Sequence, residues 1–182
     1  MRYIAFLRGI NVGGNHAVRM DPLRAMLVAL GLRNVETFIA SGNVIFDATG
    51  KAVSIERRIE ERLERELGFA IPTFLRTAAE VAAVAAHKPF RGLAVLPSGA
   101  TLQVGFLKAP LEAGAHAAVM AFRDDIHEFH VHRREIYWHT RERPAILRIT
   151  GPKMDRALGG PVTFRNITTV RRLAQKYAGG KT

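Results

Sequence analysis

The stretch RGINVGGN, residues 8–15, holds three glycines, two asparagines and an arginine. Glycines let a backbone turn its N–H groups toward a ligand, and Arg8 and Asn11 add side-chain donors. These residue types suit an anion or a small polar molecule. The spacing is not that of a nucleotide loop: glycines at 9, 13 and 14 fit neither G-x-x-x-x-G-K-[ST] nor G-x-G-x-x-G. A purely conformational role, with positive φ at the turns, is the alternative. A second polar turn, ASGN at residues 40–43, offers Ser41 and Asn43. Late in the chain, VTFRN places Arg165 beside Asn166 at the start of a helix, where a phosphate can sit. There the alternative is a solvated basic surface, with Thr163 and Arg165 holding the local fold together. The candidate ligand-binding residues are therefore Arg8, Asn11, Gly13, Gly14, Ser41, Asn43, Arg165 and Asn166.

Histidines are the other chemistry on offer. His130 and His132 fall on one face of a strand, with His127 opposite and His139 on the next strand. Two imidazoles two residues apart can share a metal, but a third ligand and supporting partners are needed. The sequence shows no H-E-x-x-H, so neither a metal nor a cofactor is assigned. No Ser-His-Asp pattern or G-x-S-x-G appears, and the carboxylates of residues 56–66 read as a charged helix face.

The elements that position these residues follow from periodicity. YIAFL (3–7) is a continuous apolar run and reads as a strand. In MDPLRAMLVALGL, Asp21 is expected as the N-cap and Pro22 at the first helical position. Leu23, Met26, Leu27 and Leu30 share one face, and Gly31 is the stop. VETFI and NVIFD are strands flanking ASG. SIERRIEERLEREL is an amphipathic helix with Ile55, Ile59, Leu63 and Leu67 inward. IPTFLR is a strand that Pro72 favours at an edge. TAAEVAAVAAH is a helix opened by a Thr77/Glu80 capping box.

This order, β-α-β-β-α-β plus a helix, is that of a ferredoxin-like α+β plait. After a Pro- and Gly-containing linker the order repeats. TLQVGFL is a strand, LEAGAHAAVMAF a helix, and IHEFHVH and EIYWH form a hairpin around Arg133 and Arg134. PKMDRAL is a helix, PVTF a strand, and NITTVRRLAQKY a helix with Asn166 as N-cap. The expected architecture is two such plaits, residues 1–88 and 101–182, joined by a linker at 89–100. In each plait the first strand's end and the following hairpin share one sheet edge. RGINVGGN and ASGN should therefore lie side by side. Strands apolar on both faces, YIAFL and VIF, imply that the sheet face away from the helices is also buried. That argues against an open RNA-binding sheet.

The composition limits the function classes. The chain has 182 residues and is 48% hydrophobic, enough for one large or two small cores. It contains no cysteine, which excludes disulfides, thiol catalysis and cysteine-held metals. The apolar start is too short for a signal peptide, and no run approaches a membrane span, so a cytoplasmic protein without membrane partners is expected. The +11 charge is uneven. Residues 1–88 carry 12 Lys/Arg and 9 Asp/Glu, a net +3, and residues 89–182 carry 15 and 7, a net +8. A basic half attracts phosphates, nucleic acid or acidic partners, although arginine outnumbers lysine 21 to 6, a bias that can arise without any anionic partner.

YIAFLRGINVGGN, MDPLRAMLVALGLRNVETFIASGNVIF and TFRNITTVRRL resemble the signatures of a bacterial family, domain of unknown function 1697. The resemblance spans nearly the whole chain and is most specific over residues 3–46. The segment HTRERPAILRITGPKMDRALGG is shorter than usual and lacks an SKL-like stretch. Ile167 stands where an aromatic is common. The resemblance implies a two-part ferredoxin-like fold and no established activity, so no catalytic residue is carried over. The leading expectation is a binding protein whose polar site lies between RGINVGG and SGN, for a small anionic ligand or a nucleic-acid phosphate. The alternatives are a small-molecule enzyme using Arg8, His16 or Asn43 at the same edge, and an interaction module without a ligand.

Overall fold

The computed structural model describes residues 1–11, 17–39, 42–91, 96–142 and 149–179. Contacts within the chain gather residues 1–82 with 173–182 into one compact unit and residues 83–172 into a second.

The first unit is built on strand β1 (Arg2–Leu7), which pairs antiparallel with β3 (Asn43–Asp47) on one side and β4 (Thr73–Thr77) on the other. β2 (Arg33–Phe38) pairs with β3, giving the sheet order β2-β3-β1-β4. Helices α1 (Met20–Ala29) and α2 (Ala52–Leu67) connect β1 to β2 and β3 to β4. Leu23 and Leu27 of α1, and Ile55, Ile59 and Leu63 of α2, join Tyr3, Ala5, Leu7, Val44 and Phe46 in one apolar cluster. The other face of the sheet is buried too: Ile4, Phe6, Ile45 and Phe74 have no exposed surface. As the apolar strand pattern required, neither face is an open platform.

The start of α1 departs from expectation. The helix starts at Met20 with Arg19 as N-cap and no side-chain cap bond. Asp21 therefore lies in the first turn, where it pairs with Arg24 at 3.0 Å. A carboxylate in the first turn still meets the positive end of the helix dipole. Gly31 (φ +82) ends α1 as expected, and Gly68 (φ +79) ends α2.

Two acidic residues of α2 do more than decorate a solvated face. Glu60 accepts the backbone N–H of Thr73 at 2.7 Å and Glu56 that of Leu75 at 3.1 Å. Residues 73 and 75 lie on the edge strand, so carboxylates four apart on a helix close amides that an edge leaves open. Helix α3 (Ala78–Ala86) starts at β4's end with the expected capping box: Glu80 N–H donates to Thr77 Oγ1 at 3.1 Å, and Thr77 N–H to Glu80 at 2.7 Å.

The second unit repeats the pattern. β5 (Thr101–Phe106) lies between β7 (Glu135–Thr140) and β8 (Thr163–Asn166), and β6 (His127–His132) pairs with β7. Its order is β6-β7-β5-β8, the first sheet's order in the second set of strands. Helices α4 (Ala113–Met120) and α5 (Gly151–Leu158) cover one face, packing Val119 and Met154 against Phe129, Ile136 and Val162. Asn166 caps the last helix, α6 (Ile167–Tyr177), accepting the Thr168 N–H at 2.9 Å. The tail of α6 groups with the first unit, where the Tyr177 hydroxyl donates to Glu36 at 2.9 Å.

Candidate functional site

At the sheet edge of the first unit, Leu7 N–H donates to the Gly42 carbonyl at 2.7 Å. The end of β1 and the hairpin after β2 therefore touch, as their topology required. Gly42 is buried there. A Cβ on it would lie 2.9 Å from the Leu7 oxygen and 3.0 Å from Ile10 Cγ1. Asn11, at φ +56, closes the neck of the glycine loop. Its Nδ2 donates to the Val18 carbonyl at 3.0 Å and its Oδ1 accepts the Val18 N–H at 2.8 Å. That pair imitates a backbone bridge and holds Asn11 and Val18 together. Asn43, 1% exposed, donates to the Phe38 carbonyl at 3.1 Å and secures the hairpin. Arg8 is half-buried, with its backbone N–H on the Pro72 carbonyl at 3.0 Å. Ile39, next to this turn, holds φ +51 and is 45% exposed. A β-branched residue in the left-handed region is strained. Gly13, Gly14, Ser41 and His16 lie outside the described residues.

Arg165 and Asn166 belong to the other unit. Arg165 Nη1 donates to Thr163 Oγ1 and to the Phe164 carbonyl, each at 2.8 Å. Burial pushes its pKa down to about 10, which leaves it charged at neutral pH.

Six ionisable side chains of the second unit gather on the face of its sheet away from α4 and α5. Strand alternation puts Glu128, His130 and His132 of β6 there, opposite His139, Tyr137 and Glu135 of β7. His127 points the other way and accepts the Trp138 indole N–H at 3.2 Å. The end of α3 lies over the polar face, held by the Tyr137 hydroxyl, which donates to the Val84 carbonyl at 3.2 Å. Burial raises the Tyr137 pKa and keeps the phenol neutral. His87 follows α3 directly, its N–H on the Ala83 carbonyl at 3.0 Å. Its Nε2 lies 3.3 Å from Nε2 of His130, and its ring stacks on His132 with centroids 4.4 Å apart. Burial, then the neighbouring imidazoles, lowers the pKa of His87 and of His130.

Beside the three histidines is a pocket of about 580 Å³ lined by Pro89, Phe90, Arg91, Pro97, Glu128, His139 and Arg141. His139 is 4% exposed, and neither ring nitrogen has a hydrogen-bond partner among the described residues. Glu128 stands 3.9 Å from its Nδ1, too far for a hydrogen bond, and 3.4 Å from Arg141. Burial lowers the His139 pKa, Glu128 opposes this and Arg141 adds to it, so the ring is neutral at pH 7. A neutral imidazole carries one donor and one acceptor, and here both are buried without partners among the described residues. Such a group costs roughly 1–3 kcal/mol unless something bonds it.

The family model for proteins of unknown function DUF1697 matches residues 1–137. The chain belongs to that family. Family membership and the twofold β-α-β-β-α-β order agree with the expectations drawn from YIAFLRGINVGGN and the segments after it. A solved structure, that of the conserved bacterial protein SP0830 from Streptococcus pneumoniae, has the same fold. The TM-score is 0.75 at 22% identity, covering 96% of this chain and 97% of that one. No curated protein matches the chain. Among the described residues no helix is long and apolar enough to cross a membrane.

Sequence reasoning placed His130, His132 and His139 correctly on neighbouring strands but missed His87. Its only local signal was a histidine closing an alanine-rich helix, and nothing in that pattern says where the helix end docks.

Proposed function

We propose that this protein binds a small anionic ligand, and that the pocket beside His139 is where it does so. One observation carries the reading: a buried imidazole with no hydrogen-bond partner among the described residues faces a pocket lined by Arg91 and Arg141. The two guanidiniums outweigh the single carboxylate of Glu128. Phe90, whose ring centroid lies 5.7 Å from that of His139, supplies an apolar wall. Convergent polar groups on such a wall are what a small-ligand site needs. The excess charge of residues 89–182 adds long-range attraction for an anion. The test is a thermal-shift screen of phosphorylated metabolites, nucleotides and short oligonucleotides. A ligand at about 100 times its Kd stabilises by about 2.7 kcal/mol, several degrees for a chain of this size. His139→Gln and Arg141→Ala should each abolish the shift. A shift that survives both variants would exclude the pocket.

A second reading keeps the ligand, or a nucleic-acid phosphate, at the edge between RGINVGG and SGN. The exposed, strained Ile39 favours it, because strain of this kind gathers at functional turns. Arg8→Ala would then remove the response and His139→Gln would not. Salt dependence near one counterion per phosphate contact would mark nucleic acid as the ligand, and turnover of the ligand would make the protein an enzyme. We further read both units as ferredoxin-like plaits of a cytoplasmic protein. The strand orders and the lack of cysteine support this.

A further inference from the structure

We propose that His87, His130 and His132 form a binding site for a divalent transition metal, with zinc the best fit. One ring nitrogen from each lies within 4.8 Å of the other two. Two imidazole nitrogens bound to one zinc at about 2.0–2.1 Å in tetrahedral geometry stand about 3.3–3.4 Å apart. The His87 and His130 Nε2 atoms are separated by 3.3 Å. The first two ligands are therefore already at coordination spacing.

Separate elements fix those two. His130 sits on β6, hydrogen-bonded to β7 with Tyr137 opposite, while His87 is set by the α3 end that the Tyr137 hydroxyl holds. The Tyr137 ring backs both imidazoles, with centroids 4.9 Å from His87 and 6.2 Å from His130. His132 shares their face two residues along the strand and is exposed. A turn of this one side chain, out of its stack on His87, brings the third nitrogen in. Its exposure also gives the ion an entry path.

The donor set selects the metal. Three imidazoles and no carboxylate suit zinc, copper or nickel, whereas calcium and magnesium require oxygen ligands. Three protein ligands leave a fourth position for water or a substrate atom. This inference is independent of the anion pocket, because none of the three histidines lines it.

The experiment uses the untagged full-length chain freed of metal by chelation. Co²⁺ is titrated by visible absorption, and Zn²⁺ then displaces it. The expected result is one equivalent bound, with the absorption of a tetrahedral or five-coordinate ion. His130→Ala and His87→Ala should each weaken binding by more than about 10-fold, the lower end of what even indirect metal partners contribute. His132→Gln, on the surface, gives the same readout if a buried variant fails to fold. His139→Gln should bind Co²⁺ like the parent while losing the anion response, so the two readings fail separately. Binding unchanged in His87→Ala and His132→Gln, or no stoichiometric binding by the parent, would overturn the site and leave the trio as a ring stack.

Discussion

Gly42→Ala tests the contact that joins the glycine loop to the hairpin turn. Gly42 has φ +74, and placing alanine in the left-handed region costs roughly 1–2 kcal/mol. Its Cβ would also press on the Leu7 carbonyl oxygen at 2.9 Å and on Ile10 Cγ1 at 3.0 Å. Leu7 is locked in an inner strand of the sheet and Ile10 is 1% exposed, so neither yields cheaply. Overpacking of that kind costs roughly 1–3 kcal/mol. The sum is about 2–5 kcal/mol. Gly9 provides the control: its φ is +75, yet a Cβ there meets nothing within 4 Å. Gly9→Ala should therefore show the conformational cost alone, roughly 1–2 kcal/mol. At about 2–4 °C per kcal/mol, calorimetry should find Gly42→Ala melting several degrees below Gly9→Ala. Equal melting temperatures would refute the reasoning, because the turn would then not be held tightly against the strand end.

Asp47 accepts Arg2 Nε and Nη2, both at 3.1 Å, and Asn34 Nδ2 at 2.7 Å. The bond from Arg2, then that from Asn34, holds its pKa below the usual carboxylate range. A depressed folded pKa contributes stability that is full above the unfolded value near 3.9 and is lost as pH falls through the folded one. Asp47→Asn should thus cost up to about 1 kcal/mol at pH 7, a size suited to a partly exposed pair, with the gap closing below about pH 4 in urea melts. Thr77→Ala removes the cap on α3 and should cost about 1 kcal/mol, while Thr77→Ser should restore most of it.

Local physics made much of this protein legible from its sequence. Periodicity placed the strands and helices, Pro72 pointed to an edge strand, and Gly31 marked a helix end. Thr77/Glu80 and Asn166 announced caps that form as read. All of these depend on residues within a few positions of one another. The start of α1 differs from the reading by two positions, with Arg19 as N-cap in place of Asp21, because capping preference is a weak determinant of where a helix end falls.

The site chemistry needed the tertiary structure. His87 and His130 are 43 residues apart, and only the docking of the end of α3 on β7 brings their nitrogens together. That His139 has no hydrogen-bond partner among the described residues is likewise a matter of packing, which no spacing in the sequence reveals. Even the two glutamates of α2, read as a charged face, close the edge of β4 because the crossover lays that helix beside it. The sequence by itself determined which segments become strands and helices. Only tertiary structure decided which side chains meet, because that depends on how strands distant in sequence are ordered in each sheet.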